Sequence, residues 1–143
     1  MAGPRTKLTV EALVAAPIAV VWKAFTSPDD IVEWNAASDE WHTTKATNDL
    51  TPGGRFSSTM AAKDGSASFD FAGTYTLVEV EKRIEYELDD ARKVAITFTE
   101  SENGKKTHVV ETFEADATHS EAMQQQGWQA IMDNFKRHVE TSL

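Results

Sequence analysis

Six stretches of alternating or β-rich sequence, separated by short and chemically marked turns, constrain this chain more than any other feature. They run over Trp41–Ala46, Gly54–Ala62, Ser68–Val80, Arg83–Leu88, Lys93–Glu100 and Lys106–Glu114. The connections carry Thr51-Pro52-Gly53-Gly54, Asp64-Gly65, Asp89-Asp90 and Asn103-Gly104. Asp-Gly and Asn-Gly favour tight hairpins, because their residues tolerate the positive φ that such turns need. Successive strands joined in this way predict an antiparallel meander rather than alternating parallel units.

The flanks supply what covers the meander. Leu8, Val10 and Ala12 alternate with polar residues in a first strand over Arg5–Val14, which Ala16-Pro17 ends. Pro17 suits the start of a helix, where its missing N–H is not needed. Ile18, Val21, Trp22 and Phe25 then follow helical spacing, with Trp22 reading as helix core. Ser27-Pro28-Asp29-Asp30 starts a second short helix through Trp34, with Ser27 as cap and two acids near the positive end of the helix dipole. From Ser120 to Val139, Met123, Gly127, Ile131, Phe135 and Val139 recur at every fourth residue. Trp128 and Met132 widen that stripe, and Glu121, Asp133, Lys136 and Arg137 occupy the rest, which predicts an amphipathic helix lying on the sheet.

Composition removes several classes of function. One domain over residues 1–143 is expected from the length. No apolar run reaches the roughly 18 residues of a membrane span, and Met1-Ala2-Gly3-Pro4-Arg5 lacks the apolar stretch of a secretory signal, so a cytoplasmic protein is expected. The chain has no cysteine, so thiolate metal sites, disulfides and thiol nucleophiles drop out. Its net charge of -9 repels phosphate backbones and anionic lipid, so neither nucleic acid nor membrane is an expected partner.

Several short motifs occur in a telling order: Ala16-Pro17 with Val21-Trp22 and Phe25, then Gly53-Gly54-Arg55-Phe56 and Gly73-Thr74-Tyr75. Arg83-Ile84-Glu85-Tyr86 follows, and then Gly127-Trp128 with Asn134-Phe135. Together they cover nearly the whole chain, which resembles the START-like (SRPBCC, helix-grip) superfamily and, within it, the bacterial branch related to the activator of the Hsp90 ATPase. The resemblance implies an α+β helix-grip fold: a seven-stranded curved antiparallel sheet, two short helices, and a long C-terminal helix over a cavity. Members of that superfamily bind lipids, hormones, polyketides or other apolar molecules, and a minority carry out chemistry on them.

The period of two along a strand assigns faces within such a fold. It groups Phe69, Phe71, Gly73 and Tyr75; Phe56, Ser58 and Met60; Ile84, Tyr86 and Leu88; and Val94, Ile96 and Phe98. Glu111 falls between Val109 and Phe113, so either a carboxylate points inward, where it must be paired, hydrated or protonated, or a bulge turns it to solvent. Phe56, Met60, Phe69, Phe71, Tyr86, Phe98 and Trp128 are expected as cavity walls, with Trp34, Trp41, Glu111 and Met132 as further ligand-binding residues. Gly127 costs the helix about 1 kcal/mol relative to alanine. Close approach to the sheet, the more ordinary reason, or room for a ligand offsets that cost.

No catalytic motif emerges. The chain has no GxSxG, GxGxxG or phosphate-loop pattern, and His42, His108, His119 and His138 lack zinc-site spacing. His108 is expected in solvent, His119 at the start of the last helix and His138 near its negative end. The reading reached is a non-catalytic binding protein for a lipid-like, aromatic or polyketide-like molecule, with no cofactor and no metal. A co-chaperone-like protein with a chaperone partner is the alternative. A small cyclase or hydratase comes third, with Glu111 as base and Tyr86 or His42 as acid.

Overall fold

A computed structural model of the chain describes residues 6–142. The expected strand start at Arg5 lies outside the described residues. The elements follow the order β1 (Lys7–Val14), α1 (Ile18–Thr26), α2 (Pro28–Trp34), β2 (Trp41–Asn48), β3 (Arg55–Ala62), β4 (Ser68–Glu79), β5 (Arg83–Leu88), β6 (Lys93–Ser101), β7 (Lys106–Glu114) and α3 (Glu121–Thr141). The strands form one sheet in the order β1-β7-β6-β5-β4-β3-β2, every neighbour antiparallel. The meander is thus β2 to β7 in sequence order, and β1 adds itself beside β7. This is the seven-stranded, curled α+β helix-grip architecture implied by the resemblance.

Local chemistry explains the element ends. Gly65 and Gly104 adopt φ of +79° and +81° in the Asp-Gly and Asn-Gly turns, the backbone region open to glycine. Ser120 caps α3, its hydroxyl accepting a bond from the Met123 N–H at 3.1 Å. Ser27 caps α2 by its carbonyl alone, which accepts from the N–H groups of Asp30 and Ile31; its hydroxyl makes no capping bond. Pro17 sits one place before α1, at its cap position.

One glycine is fixed by the packing of strands. A Cβ on Gly73 would lie 2.5 Å from the Glu87 carbonyl oxygen and 3.1 Å from the Phe56 ring. The missing side chain lets Phe56 lean across β4 from β3 and reach Tyr86 on β5, at a ring separation of 4.7 Å.

Helices and sheet are locked at one end by a cluster of four rings. Phe25 of α1 lies 5.4 Å from Trp34 of α2, 5.4 Å from Phe98 of β6 and 5.3 Å from Phe135 of α3, mostly edge to face. Trp34 meets Phe135 at 4.9 Å, and its indole N–H donates to the Ala24 carbonyl at 2.9 Å, so a buried donor is satisfied. Trp22 packs on Phe98 at 5.2 Å, as helix core.

Along the edge strand β1, side chains of α3 stand in for a further strand. The Gln125 amide donates to the Thr9 carbonyl. Gln129 donates to the Glu11 carbonyl at 2.9 Å and accepts from the Glu11 N–H at 3.2 Å. Glu140 accepts from the Ala15 N–H at 2.8 Å.

The buried face of α3 differs from the expected stripe. Gln124, Met132, Phe135 and Val139 are its buried residues, whereas Met123 is exposed and Gly127 and Ile131 are half-buried. Four residues turn a helix through about 400°, so a strict every-fourth series winds round the axis by about 40° per step. With Phe135 and Val139 facing in, Met123 three steps earlier has rotated into solvent.

Phe135→Ala should therefore lower the unfolding free energy by roughly 3 to 5 kcal/mol, the range for a fully buried aromatic, and Met123→Ala by less than about 0.5 kcal/mol. Guanidinium melts of the two variants beside the parent measure both. Equal losses would show that the helix docks through the every-fourth stripe after all.

Candidate ligand-binding cavity

Beyond the ring cluster, the space between α3 and the sheet is not filled. A cavity of about 590 Å³ remains, inside the range typical of small-molecule sites. Its end wall is the cluster itself, through Phe25, Trp34 and Phe135. The sheet contributes Phe56, Met60, Phe71, Tyr75 and Tyr86, and the helix contributes Gly127, Trp128, Ile131 and Met132. At the rim stand Trp41 and Phe69, 5.8 Å apart, with Phe69 51% exposed.

Trp128 is set rigidly on this helix. It stacks on Phe113 at 3.8 Å with rings nearly parallel and meets the Phe71 edge at 5.9 Å. At the residue just before it, a Cβ placed on Gly127 would touch nothing within 4 Å. The glycine therefore opens room in the cavity, and the close helix–sheet approach expected at this position does not occur.

Of the sequence-derived wall residues, Phe98 is elsewhere. It does point inward, as its alternation requires, but its ring packs against Trp22 and Phe25 and is absent from the cavity lining. The inward face of the sheet is divided: α1 fills the part that holds Phe98, and the remainder stays open. Trp34, Trp41, Phe56, Met60, Phe69, Phe71, Tyr86, Glu111, Trp128 and Met132 all line the open part.

Glu111 faces inward, 9% exposed, with Val109 and Phe113 on the same face of β7 and no register shift to turn it outward. It makes no hydrogen bond or ion pair with another described residue. Desolvation of its charged form raises its pKa to about 7. Tyr86 is likewise buried and without a hydrogen-bond partner among the described residues. Burial lifts its pKa well above the ordinary value, and the neighbouring charges of Glu111 and Tyr75 add to that rise, against the influence of Arg92.

Other polar groups at the cavity are already engaged. The Tyr75 hydroxyl donates to Asn48 Oδ1 at 2.6 Å, and Asn48 in turn donates to the Thr26 carbonyl at 2.6 Å. Arg92 Nε donates to Asp90 at 2.8 Å, and its guanidinium lies 4.0 Å from Asp116. Asp116 loses some solvation, which works against its charge, yet N–H groups of His119 and Thr118 and their side chains hold its pKa down at about 2.

Sequence reasoning missed Arg92, Asp116 and His119 as lining residues. They lie in the β5–β6 turn and the β7–α3 loop, where no periodicity assigns a face. His42 is exposed on β2, beside Lys63, Arg137 and His138 in a second hollow outside the cavity, so it cannot serve as the acid to a Glu111 base. His108 Nε2 donates to the Glu11 carboxylate at 3.1 Å on the outer face, and His138 bonds Asp30 of α2 at 2.9 Å.

The chain and its fold have counterparts in known proteins. A family model described as "Activator of Hsp90 ATPase homolog 1-like protein" matches residues 15–140. The chain belongs to this family. Its members of known structure include an AHSA1-like protein from Aeromonas hydrophila, 52% identical over 96% of this chain and 94% of that one, with a TM-score of 0.88. A protein from Cytophaga hutchinsonii is 48% identical over 95% of this chain and 93% of its own, at a TM-score of 0.80. A protein from Nitrosomonas europaea shares the fold at 20% identity, with 95% of each chain covered and a TM-score of 0.81. Among curated proteins none matches the chain. The AHSA1-like match begins after β1, so every cavity-lining residue lies within the part shared with the family.

The raised pKa of Glu111 has a definite consequence for stability. Below about pH 4.5 the folded and unfolded chains both hold its proton; between there and about pH 7 only the folded chain does, so stability falls as pH rises. Above about 7 both forms are ionised and the cost is complete, on the order of 3 kcal/mol. Glu111→Gln should therefore be more stable than the parent at neutral and alkaline pH, with the gain vanishing in acid. Urea titrations across pH measure this, and a variant less stable than the parent at every pH would mean that the carboxylate has a native partner.

Proposed function

We propose that this protein binds a small, largely apolar molecule, aromatic or lipid-like, in the cavity between the sheet and α3, without transforming it. The observation that carries the reading is the cavity itself: a well-packed domain leaves few voids larger than a water molecule, and this one holds about 590 Å³ walled by aromatic rings. The placement of a glycine where the helix crosses that space supports it, since alanine would raise helix stability and meet no obstruction. Unengaged polar groups are few, which suits a ligand that is mostly apolar with one polar end. A cytoplasmic setting is part of the reading and is supported by the cysteine-free sequence.

The family description favours one second reading, a co-chaperone-like protein that stimulates an Hsp90-type ATPase. Such a role would work through an outer surface and leave the cavity incidental. Lining side chains therefore separate the two.

An environment-sensitive apolar dye should bind the parent protein at one saturable site. Gly127→Leu, which projects a side chain into the cavity, should lower that affinity at least tenfold while the circular dichroism spectrum is kept, and Phe71→Ala should also alter it. Gly127→Ala, by contrast, should raise unfolding free energy by about 0.5 to 1 kcal/mol. A parent that shows no saturable binding, together with ATPase stimulation unchanged in Gly127→Leu, would transfer the function to the outer surface.

A further inference from the structure

The unpartnered carboxylate at the cavity floor specifies the polar end of the ligand. Glu111 is nine-tenths buried, borders the cavity, and has no hydrogen bond or ion pair with a described residue. The groups around it from each neighbouring element supply no free positive charge. On β1 and β6 its register partners are Val10 and Ile96, and α3 lines the cavity with Trp128 and Met132. Tyr86 of β5 and Tyr75 of β4 are neutral phenols, held so by burial. Arg92 is paired with Asp90 and lies near Asp116, and His119 is hydrogen-bonded to Asp116.

Three of the wall rings add a second feature. Phe56 lies 5.2 Å from Tyr75 and 4.7 Å from Tyr86, and the two tyrosines are 6.2 Å apart. Clustered aromatic rings present their negative faces to a cation. An anionic head group is repelled by Glu111, and the net charge of -9 concentrates cations around the molecule and depletes anions.

We infer that the ligand carries a protonated primary amine on an apolar body, with the ammonium bonded to Glu111 and the body against the aromatic walls. This rests on the cavity being a ligand site, and it goes further by naming the class of molecule. Fatty acids and other carboxylates are poor ligands on this view, and neutral alcohols are intermediate. An incoming ammonium is the partner that Glu111 lacks within the protein, so binding draws the carboxyl into its ionised form. Below its midpoint near pH 7 the binding must displace a proton and weakens accordingly.

The test uses three probes with one apolar body: phenylpropylamine, phenylpropanol and phenylpropanoate, each competing with the apolar dye on the parent protein. At about pH 8.5, where an alkyl amine is still protonated, the amine should bind at least tenfold tighter than the alcohol, and the carboxylate weakest. The preference for amine over alcohol should shrink several-fold by about pH 5 as Glu111 takes up its proton. Glu111→Gln should bind amine and alcohol about equally. Equal affinities on the parent, or an amine preference that survives in Glu111→Gln, would overturn the amine class while the dye still reports a working cavity. Absence of dye binding would overturn the cavity reading and this inference together. The parent ranking and its pH dependence decide the matter even if the variant fails to fold.

Discussion

Everything in this fold hangs on the contact among Phe25, Trp34, Phe98 and Phe135. One ring from each of three helices and one from the sheet meet within ring separations of 4.9 to 5.4 Å. Edge-to-face aromatic pairs are favourable beyond the area they bury, and here they join segments more than a hundred residues apart in sequence. This knot holds α3 at its C-terminal half, while nearer its N-terminus Trp128 stacks on Phe113 and the cavity lies between helix and sheet. A hollow fold needs such a division of labour: one end packed as a core, the other held open by it.

The open end carries energetic costs that a filled core would avoid. A glycine sits inside a helix, and a carboxyl group sits among apolar side chains without a partner from the protein. Each costs folding free energy: the glycine through the backbone freedom it gives up in the helix, and the carboxyl through its lost hydration. The two costs fall on opposite walls, Gly127 on the helix and Glu111 on the sheet. Buried polar groups away from the cavity are matched: Thr107 donates to the Ala16 carbonyl, and Gln124 bridges Asp116 and His119. The contrast ties the unpartnered Glu111 and Tyr86 to the cavity they both line rather than to a general looseness of packing.

Much of this was legible in the sequence because strands and hairpins are governed by local rules. Arg83–Leu88 and Lys106–Glu114 occur at the limits that alternation sets, and Ser120 caps α3 as its position suggests. Period two also assigned Tyr86 and the inward option for Glu111 correctly to their faces. It went astray for Phe98, because facing inward does not distinguish a cavity from the packed region under α1. The helix was misjudged for a different reason: an every-fourth series drifts round the axis, and only contact with the sheet shows which part of it docks. Arg92, Asp116 and His119 belong to connections whose path is set by tertiary packing, beyond the reach of any repeat in the chain.

The seam between α3 and β1 also bears on how this molecule can meet others. A sheet's outermost strands invite strand addition, since their backbone groups are free on one side. On β1 the Thr9 carbonyl and both Glu11 backbone groups are occupied by Gln125 and Gln129 of the protein's own helix, and just past the strand Glu140 takes the Ala15 N–H. On β2, at the other margin, the register slips between Thr43 and Lys45, a bulge of the kind that spoils a straight pairing edge, and the Thr43 hydroxyl donates to the carbonyl of Asn35, the residue that ends α2. Neither margin offers a clean ladder to an incoming chain. Both features oppose the growth of the sheet by edge-to-edge stacking.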